Sequence, residues 1–455
     1  MYQSTRSKTT YNATEAIIKG IADDGGLFIS KDVPKLNLNE LLGDNYETLA
    51  AKILSLFFVE FTYQELLKMV KKATHQFTSS EITPLRRVED EYFLELFYGP
   101  TLAFKDIALT LFPYLLDTSQ KKRKEEEEKI VLVATSGDTG GATLAGFSNL
   151  KKSKVIVFYP NKGISPYQEA QMLQYQSKNK AIIALEGNFD DCQALVKELF
   201  NEYPFLTSAN SINIGRLLPQ VVYYVYAYLQ MVNKKNIKMG EEINFSIPTG
   251  NFGNIFAAYL ALQMGLPIHK LLCASNQNNI LSDFFKTGIY DKNRPFYLTN
   301  SPSMDIIFSS NLERLIWWLG GEEEVNNYLT SLKEINSYTI NNKLKENLNS
   351  FYASSASIKE TNDAIKTFYD KTKYIMDPHT AVAYKVACNY RDEEKDKRPL
   401  VIVATASYQK FLDTVAPLLD LKKNNVSKEL DNRLIWPLAK SKDNFRNLIK
   451  EMKRC

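Results

Sequence analysis

Ile130-Val-Leu-Val-Ala-Thr-Ser-Gly-Asp-Thr-Gly-Gly-Ala142 is the stretch on which the fold turns. Its first residues are uninterrupted apolar types, as in a strand buried on both faces, and they run into a glycine-rich turn. Small apolar residues follow to Phe147, the pattern of a helix packed against that strand. Outward from here the unit recurs. Lys154-Val-Ile-Val-Phe-Tyr159 and Ala181-Ile-Ile-Ala-Leu185 read as strands, and each precedes a helical pattern. The clearest of these helices is predicted over 192–200 with Asp190 as its N-cap. Residues 243–247 enter a second glycine-rich turn followed by a helix over 255–264, and 271–274 and 400–404 are further strands. Apolar strands alternating with helices imply a parallel sheet covered on both faces, an α/β fold. Such sheets gather ligands at the carboxyl ends of their strands, where both glycine-rich turns lie.

The remaining chain sets bounds on this reading. Amphipathic helices are predicted over 46–58 and 63–72. The apolar run 217–232 contains Gln220 and Gln230 and is too short and polar to span a membrane, so it reads as a buried helix. The N-terminus has no apolar signal core, which implies a cytoplasmic protein. A length of 455 residues suggests about two to four domains. Phe and Tyr number 25 and 26, enough aromatic bulk for a large core. A net charge of +4 excludes a strongly basic nucleic-acid binder. The block Lys121-Lys-Arg-Lys124 precedes Glu125-Glu-Glu-Glu128, so it reads as a self-paired, solvated connection.

Only three histidines (His75, His269, His379) and four scattered cysteines (Cys192, Cys273, Cys388, Cys455) are present. No C-x-x-C or H-x-x-x-H spacing offers a metal site, and no G-x-S-x-G elbow accompanies a histidine base. The chemistry therefore falls to lysine, hydroxyls, backbone amides or a bound cofactor.

Three motifs supply such groups. In Glu95-Leu-Phe-Tyr-Gly-Pro-Thr-Leu-Ala-Phe-Lys105-Asp106, apolar neighbours strip water from Lys105 and favour its neutral, nucleophilic amine. Taken alone, the segment better suits a lysine snorkelling beside Asp106, since lysines are many and few are catalytic. In Thr135-Ser-Gly-Asp-Thr-Gly-Gly-Ala142, free N–H groups at a helix start and the hydroxyls of Ser136 and Thr139 form an anion nest or, equally, a tight turn. Pro248-Thr-Gly-Asn-Phe-Gly-Asn254 repeats that choice, with Gly250 and Gly253 allowing close approach to a phosphate. Neither loop is G-x-G-x-x-G or a P-loop, which argues against a nicotinamide dehydrogenase on the same sheet. One lysine and two cradles together suit a phosphorylated cofactor and an acidic substrate.

Taken in order, these motifs resemble threonine synthase. The resemblance extends to Asp23-Asp-Gly-Gly-Leu-Phe28, Ser208-Ala-Asn-Ser-Ile-Asn-Ile-Gly-Arg216, Ser301-Pro-Ser-Met-Asp305 and Asp377-Pro-His-Thr-Ala-Val382. It implies two doubly wound lobes with largely parallel sheets, the type II fold of pyridoxal phosphate enzymes, plus a mainly helical N-terminal region. The segments are 1–95 (N-terminal), 96–235 (lysine and S-G-D-T-G loop) and 236–455 (phosphate loop and C-terminal strand). It implies the cofactor pyridoxal 5′-phosphate, with Lys105 as its Schiff-base lysine and Gly250, Asn251, Phe252, Gly253 and Asn254 around its phosphate. Thr405 would meet the pyridine nitrogen and Asp138 the ring's 3′-oxygen. Thr135, Ser136 and Thr139 would receive the substrate carboxylate, and Arg216, Asn213, Ser211 and Lys162 are candidates for its phosphate.

The implied reaction converts O-phospho-L-homoserine and water to L-threonine and phosphate, by a monomer or homodimer with no nucleic-acid or membrane partner. A related phospho-lyase would make 2-oxobutyrate from the same substrate through the same first steps, and a non-catalytic ligand-binding homologue would keep the fold without turnover. Ser407-Tyr408 departs from the His-Pro that many relatives carry after Thr-Ala, and His379 suits either a helix start or a substrate contact.

Overall fold

In the computed structural model, which describes residues 1–150, 153–162, 164–422 and 433–454, two parallel sheets form the centre of the molecule. Cys455 lies outside the described residues. The smaller sheet has five strands, all parallel, in the order Leu434–Pro437, Lys180–Glu186, Lys154–Pro160, Ile130–Ala134, Leu206–Ser208. Every residue of Ile130–Ala134 is buried, as expected for a strand covered on both faces. The larger sheet has six strands, ordered Phe351–Ser355, Ile268–Ser275, Ile243–Pro248, Leu400–Ala404, Glu91–Glu95, Leu85–Val88. Only its edge pair, Leu85–Val88 with Glu91–Glu95, is antiparallel.

The predicted strands and helices are present, with shifted ends. The helix expected after Asp190 runs Phe189–Glu202, and its N-cap is Asn188, whose side chain accepts from the Asp191 N–H while Asp191 bonds back to the Asn188 N–H. That reciprocal capping box satisfies two orphan donors at once; the side chain of Asp190 lies outside the described residues. Three strands join sheets across the expected segments. Strands Leu85–Val88 and Glu91–Glu95, assigned to the N-terminal segment, belong to the larger sheet. Strand Leu434–Pro437, assigned to the third segment, returns to the smaller sheet, where Trp436 pairs with Leu185.

The N-terminal region combines a three-stranded antiparallel sheet (Thr10–Tyr11, Tyr2–Ser4, Phe28–Ser30) with helices Tyr46–Phe57 and Tyr63–Thr74. The second helix is capped by the Thr62/Glu65 pair. The buried run forms helix Pro219–Asn233. Its two glutamines are satisfied: Gln230 bridges Thr83 O and the Leu85 N–H, and Gln220 donates to Arg216 O. Within the described residues the charge block pairs with itself only at Arg123 and Glu125 (3.7 Å); other charges of the block reach outside it, Lys121 to Asp117, Lys122 to Glu65 and Glu128 to Lys154. Among the described residues no helix is long and apolar enough to cross a membrane. The carboxyl ends of Ile130–Ala134, Ile243–Pro248 and Leu400–Ala404 open on one cleft.

Candidate active site

The lysine loop is shaped by Asp106. Its carboxylate accepts from the Thr101 N–H (2.8 Å), the Thr101 hydroxyl (2.6 Å) and, at 3.5 Å, the Ala103 N–H. The chain thereby curls tightly around the carboxylate, with Leu102 forced to φ +60°. Burial pushes the Asp106 carboxyl up to about 6, partly offset by its bonds to Thr101 and by the Lys410 charge. The Phe104 N–H donates to Thr405 O (2.8 Å) and the Ser407 N–H to Leu102 O (3.0 Å). These bonds stitch the lysine loop to the end of strand Leu400–Ala404, so Lys105 and Thr405 line the same cleft. Ser407, the departure from His-Pro, keeps this backbone link and also accepts from the Gln409 N–H. Lys105 opens helix Lys105–Leu109 with 13% of its side chain exposed. Burial lowers its pKa; Asp138 opposes that shift, and the charges of Lys410 and Arg216 add to it.

The turn after Ile130–Ala134 is held by Thr135, whose hydroxyl oxygen accepts from the N–H groups of Gly137 (2.9 Å) and Gly140 (3.0 Å). Gly137 sits at φ +130°, and a Cβ there would lie 2.5 Å from the Gln168 side chain, so the turn requires glycine. Helix Asp138–Gly146 starts with the Asp138 carboxylate buried in the cleft wall. Its oxygens receive Gln168 Nε2 (2.9 Å) and Ser303 Oγ (3.1 Å), and lie 2.9 Å from Lys410 Nζ and 3.5 Å from Lys105 Nζ. Burial alone would raise this carboxyl, but Lys410 and Lys105 outweigh it and hold Asp138 well below the usual carboxylate range.

The second turn is just as constrained. Phe252 adopts φ +65° ahead of helix Gly253–Gln263, and a Cβ on Gly250 would lie 2.7 Å from Ser303 O. Ser309 Oγ donates to Gly250 O (2.8 Å) and Asn311 Nδ2 to Asn251 O (2.9 Å), which fixes the loop's carbonyls at the start of the helix. The Asn254 amide oxygen accepts from the hydroxyls of Tyr223 and Tyr224 (2.6 Å for the latter). Its Nδ2 is buried without a partner.

Arg216 is 2% exposed, and no carboxylate among the described residues pairs with it. Its Nη1 donates to Ala209 O, while Nε is buried without a partner. Burial lowers its pKa to about 10. A desolvated guanidinium without a carboxylate is costly unless an anion completes it. This excludes the internal ion pair that would otherwise explain the residue.

Of the residues singled out from sequence, Lys105, Thr135, Ser136, Asp138, Thr139, Ser211, Arg216, Gly250 to Asn254 and Thr405 all line the cleft. Asn213 and Lys162 do not. Asn213 is fully employed: Nδ2 donates to Ile17 O (3.0 Å) and Ser208 O (2.9 Å), and Oδ1 caps the turn at the Gly215 N–H. Lys162 is exposed to solvent away from the cleft. His379 is at a helix start and also faces the cleft. It starts helix Pro378–Glu394 with Nδ1 2.8 Å from the Asp377 carboxylate, and it lines the cleft with Nε2 accepting from the Ser303 N–H. Lys410, Ser303 and Gln168 were missed as site residues. Ser303 carries a signal, since it sits in the quoted Ser301–Asp305 motif; Lys410 and Gln168 have none beyond their distance to Asp138 in the fold. No group of three His, Cys, Asp or Glu suited to a metal occurs among the described residues.

A phosphorylated pyridine aldehyde fits these groups. A desolvated amine faces its aldehyde chemistry, orphaned Asn254 Nδ2 beside the glycine loop suits its phosphate, and Thr405 supplies a hydroxyl.

Comparison with known proteins agrees. Residues 77–406 match the family "Pyridoxal-phosphate dependent enzyme", and residues 1–74 match "Threonine synthase N terminus". The chain is 40% identical to human "Threonine synthase-like 1" over 90% of its own length. It spans 58% of that protein. It is 38% identical to "Threonine synthase" of Saccharomyces cerevisiae, covering 91% of this chain and 88% of the yeast protein. The crystal structure of PLP-bound threonine synthase from Brucella melitensis superposes with a TM-score of 0.88 at 35% identity, over 98% of this chain and 99% of that one.

Proposed function

Because the chain belongs to the threonine synthase family of pyridoxal-phosphate-dependent enzymes, we propose that it converts O-phospho-L-homoserine and water to L-threonine and inorganic phosphate. The observation that carries this reading is the buried Arg216 guanidinium, unpaired and in the same cleft as Lys105 and the two glycine turns. One phosphorylated cofactor would fill one cradle, and the second anion, which would complete Arg216, is the γ-phosphate of the substrate.

Lys105 would hold the cofactor's aldehyde carbon until substrate binds, the Gly250–Asn254 loop its phosphate, Asp138 its 3′-oxygen and the Thr405 hydroxyl its pyridine nitrogen. The bound cofactor supplies the electron sink that acidifies the substrate's Cα and Cβ protons. Lys105 Nζ, favoured as a free amine by burial, takes the Cα proton and later returns a proton to carbon. Ser136 and Thr139 hold the substrate carboxylate at the start of helix Asp138–Gly146, where N–H groups and the helix dipole favour an anion. The Thr135 hydroxyl oxygen is occupied by two N–H groups, so Thr135 contributes by shaping this nest and by its own O–H. Arg216, with Ser211 beside it in the cleft wall, receives the phosphate as it leaves. Neutralising that dianion at the moment of departure lowers the barrier to elimination. The buried walls limit water until it is needed at Cβ.

Purified protein loaded with pyridoxal phosphate and given O-phospho-L-homoserine is expected to release one threonine per phosphate. Phosphate release accompanied by 2-oxobutyrate and ammonia in place of threonine overturns the assignment of the final step.

A further inference from the structure

Lys410 lies in the short 3-10 turn Tyr408–Phe411 that follows Thr405, and its side chain is fully buried. Lysines are almost never buried to this degree without a partner. Its ammonium reaches Thr101 O (2.7 Å), Asp138 Oδ1 (2.9 Å) and, at 3.4 Å, Gln171 Oε1. It does not line the cleft. The opposite oxygen of Asp138 faces Lys105 at 3.5 Å and Ser303 Oγ at 3.1 Å. A single carboxylate is therefore clamped between two ammonium groups, one inside the cleft and one behind it.

We propose that Lys410 is a positioning residue: from behind the cleft wall it holds the Asp138 carboxylate ionised and aims its second oxygen at Lys105. This rests on the reading that Asp138 faces the cofactor ring.

Three observations bear on it. First, the groups facing Asp138 are Lys105, Lys410 and His379, with Gln168 and Ser303 as neutral donors. His379 accepts from the Ser303 N–H through Nε2, and its Nδ1 is held by Asp377, so it supplies no proton to Asp138 by direct contact. Second, Lys105 cannot anchor the carboxylate by itself if its amine is to shed its charge during turnover. A second, permanently seated cation removes that conflict. Third, Lys410 also holds Thr101, the residue whose N–H and hydroxyl fix the Asp106 clamp, so one ammonium ties the lysine loop to Asp138. The charges of Arg216 on Lys105 and of Asp106 near Lys410 complete the surroundings.

Lys410→Gln keeps an N–H donor for Thr101 and removes the charge, while Lys410→Arg keeps the charge. The readout is the pH midpoint of the holoenzyme's visible cofactor absorbance, together with the acid limb of kcat/KM. With Lys410 neutral, burial of Asp138 is opposed by one cation in place of two. The midpoint and the acid limb are expected to move up by roughly 1–3 pH units in Lys410→Gln and to stay near wild type in Lys410→Arg. A purely structural role would lower stability without moving either midpoint.

A folded Lys410→Gln holoenzyme that titrates as wild type overturns the proposal. Should Lys410→Gln fail to fold, Lys410→Met combined with Asp138→Asn is expected to fold, because the carboxylate that Lys410 touches is neutralised with it and Asp106 keeps its bonds to Thr101. Failure of that pair too would assign Lys410 to the Thr101 loop alone and also overturn the proposal. Absence of visible absorbance or phosphate release in the wild type refutes the functional reading itself, so the two failures are distinguishable.

Discussion

Replacing Arg216 by Met is expected to move stability and activity in opposite directions. Burial lowers the guanidinium pKa from 12.5 to about 10. A depressed cation pKa means that the folded state disfavours the charge, and at neutral pH that penalty is fully present because both values lie above 7. The difference, roughly 2.5 units at 1.36 kcal/mol each, is about 3 kcal/mol against folding. Met removes this penalty, but it orphans Ala209 O, which Nη1 now satisfies, at about 1–3 kcal/mol. The net expectation for ligand-free protein is a gain of about 0–2 kcal/mol. With substrate the sign reverses, since charge-assisted bonds to phosphate contribute about 1.5–3 kcal/mol, or roughly 10- to 150-fold in kcat/KM. Urea denaturation of ligand-free protein and initial rates of phosphate release test both halves. A variant that is several kcal/mol less stable, with kcat/KM unchanged, would show Arg216 to be a structural group.

Two further substitutions probe the turns. Gly250→Ala places a Cβ 2.7 Å from the backbone oxygen of Ser303, so the loop must shift; weaker cofactor retention on dialysis, at least tenfold in Kd (about 1.4 kcal/mol), is expected, and undiminished retention contradicts the cradle. For Asp106 the test is pH. Its buried carboxyl titrates near about 6 against 3.8 unfolded, so the folded state binds the extra proton between these values and stability falls as pH rises through that window. The stability of Asp106→Asn relative to wild type is therefore expected to improve by about 3 kcal/mol between pH ~3.5 and ~7, measured by urea titration; a pH-independent difference refutes the shift.

The buried centre of the fold was readable because strands covered on both faces are apolar along their whole length, as in Ile130–Ala134 and Leu400–Ala404. The edges were not. Leu85–Val88 carries two adjacent exposed arginines between buried Leu85 and half-buried Val88, and Leu434–Pro437 is a short and largely exposed strand, so neither carries the buried pattern. Their partners lie far away in sequence or across a hairpin, as when Trp436 pairs with Leu185 and Leu85 with Leu94, and local periodicity holds no record of such pairing. At the site, loops with glycine at forced positions announced themselves, while Lys410 did not. A buried lysine reads like any other until the fold brings it 2.9 Å from a carboxylate more than 250 positions earlier. Asn213 shows the converse: a polar residue inside a matching motif whose groups are all spent on the backbone.

Lys105 and Lys410 both flank Asp138, and only Lys105 opens onto the cleft. Borohydride reduction of the holoenzyme, followed by proteolysis and mass spectrometry, fixes the cofactor to whichever amine holds it. The reduced adduct is expected on Lys105 in wild type and absent in Lys105→Ala, together with all turnover. An adduct on Lys410 or any other lysine, or full activity in Lys105→Ala, contradicts the assignment of the central residue.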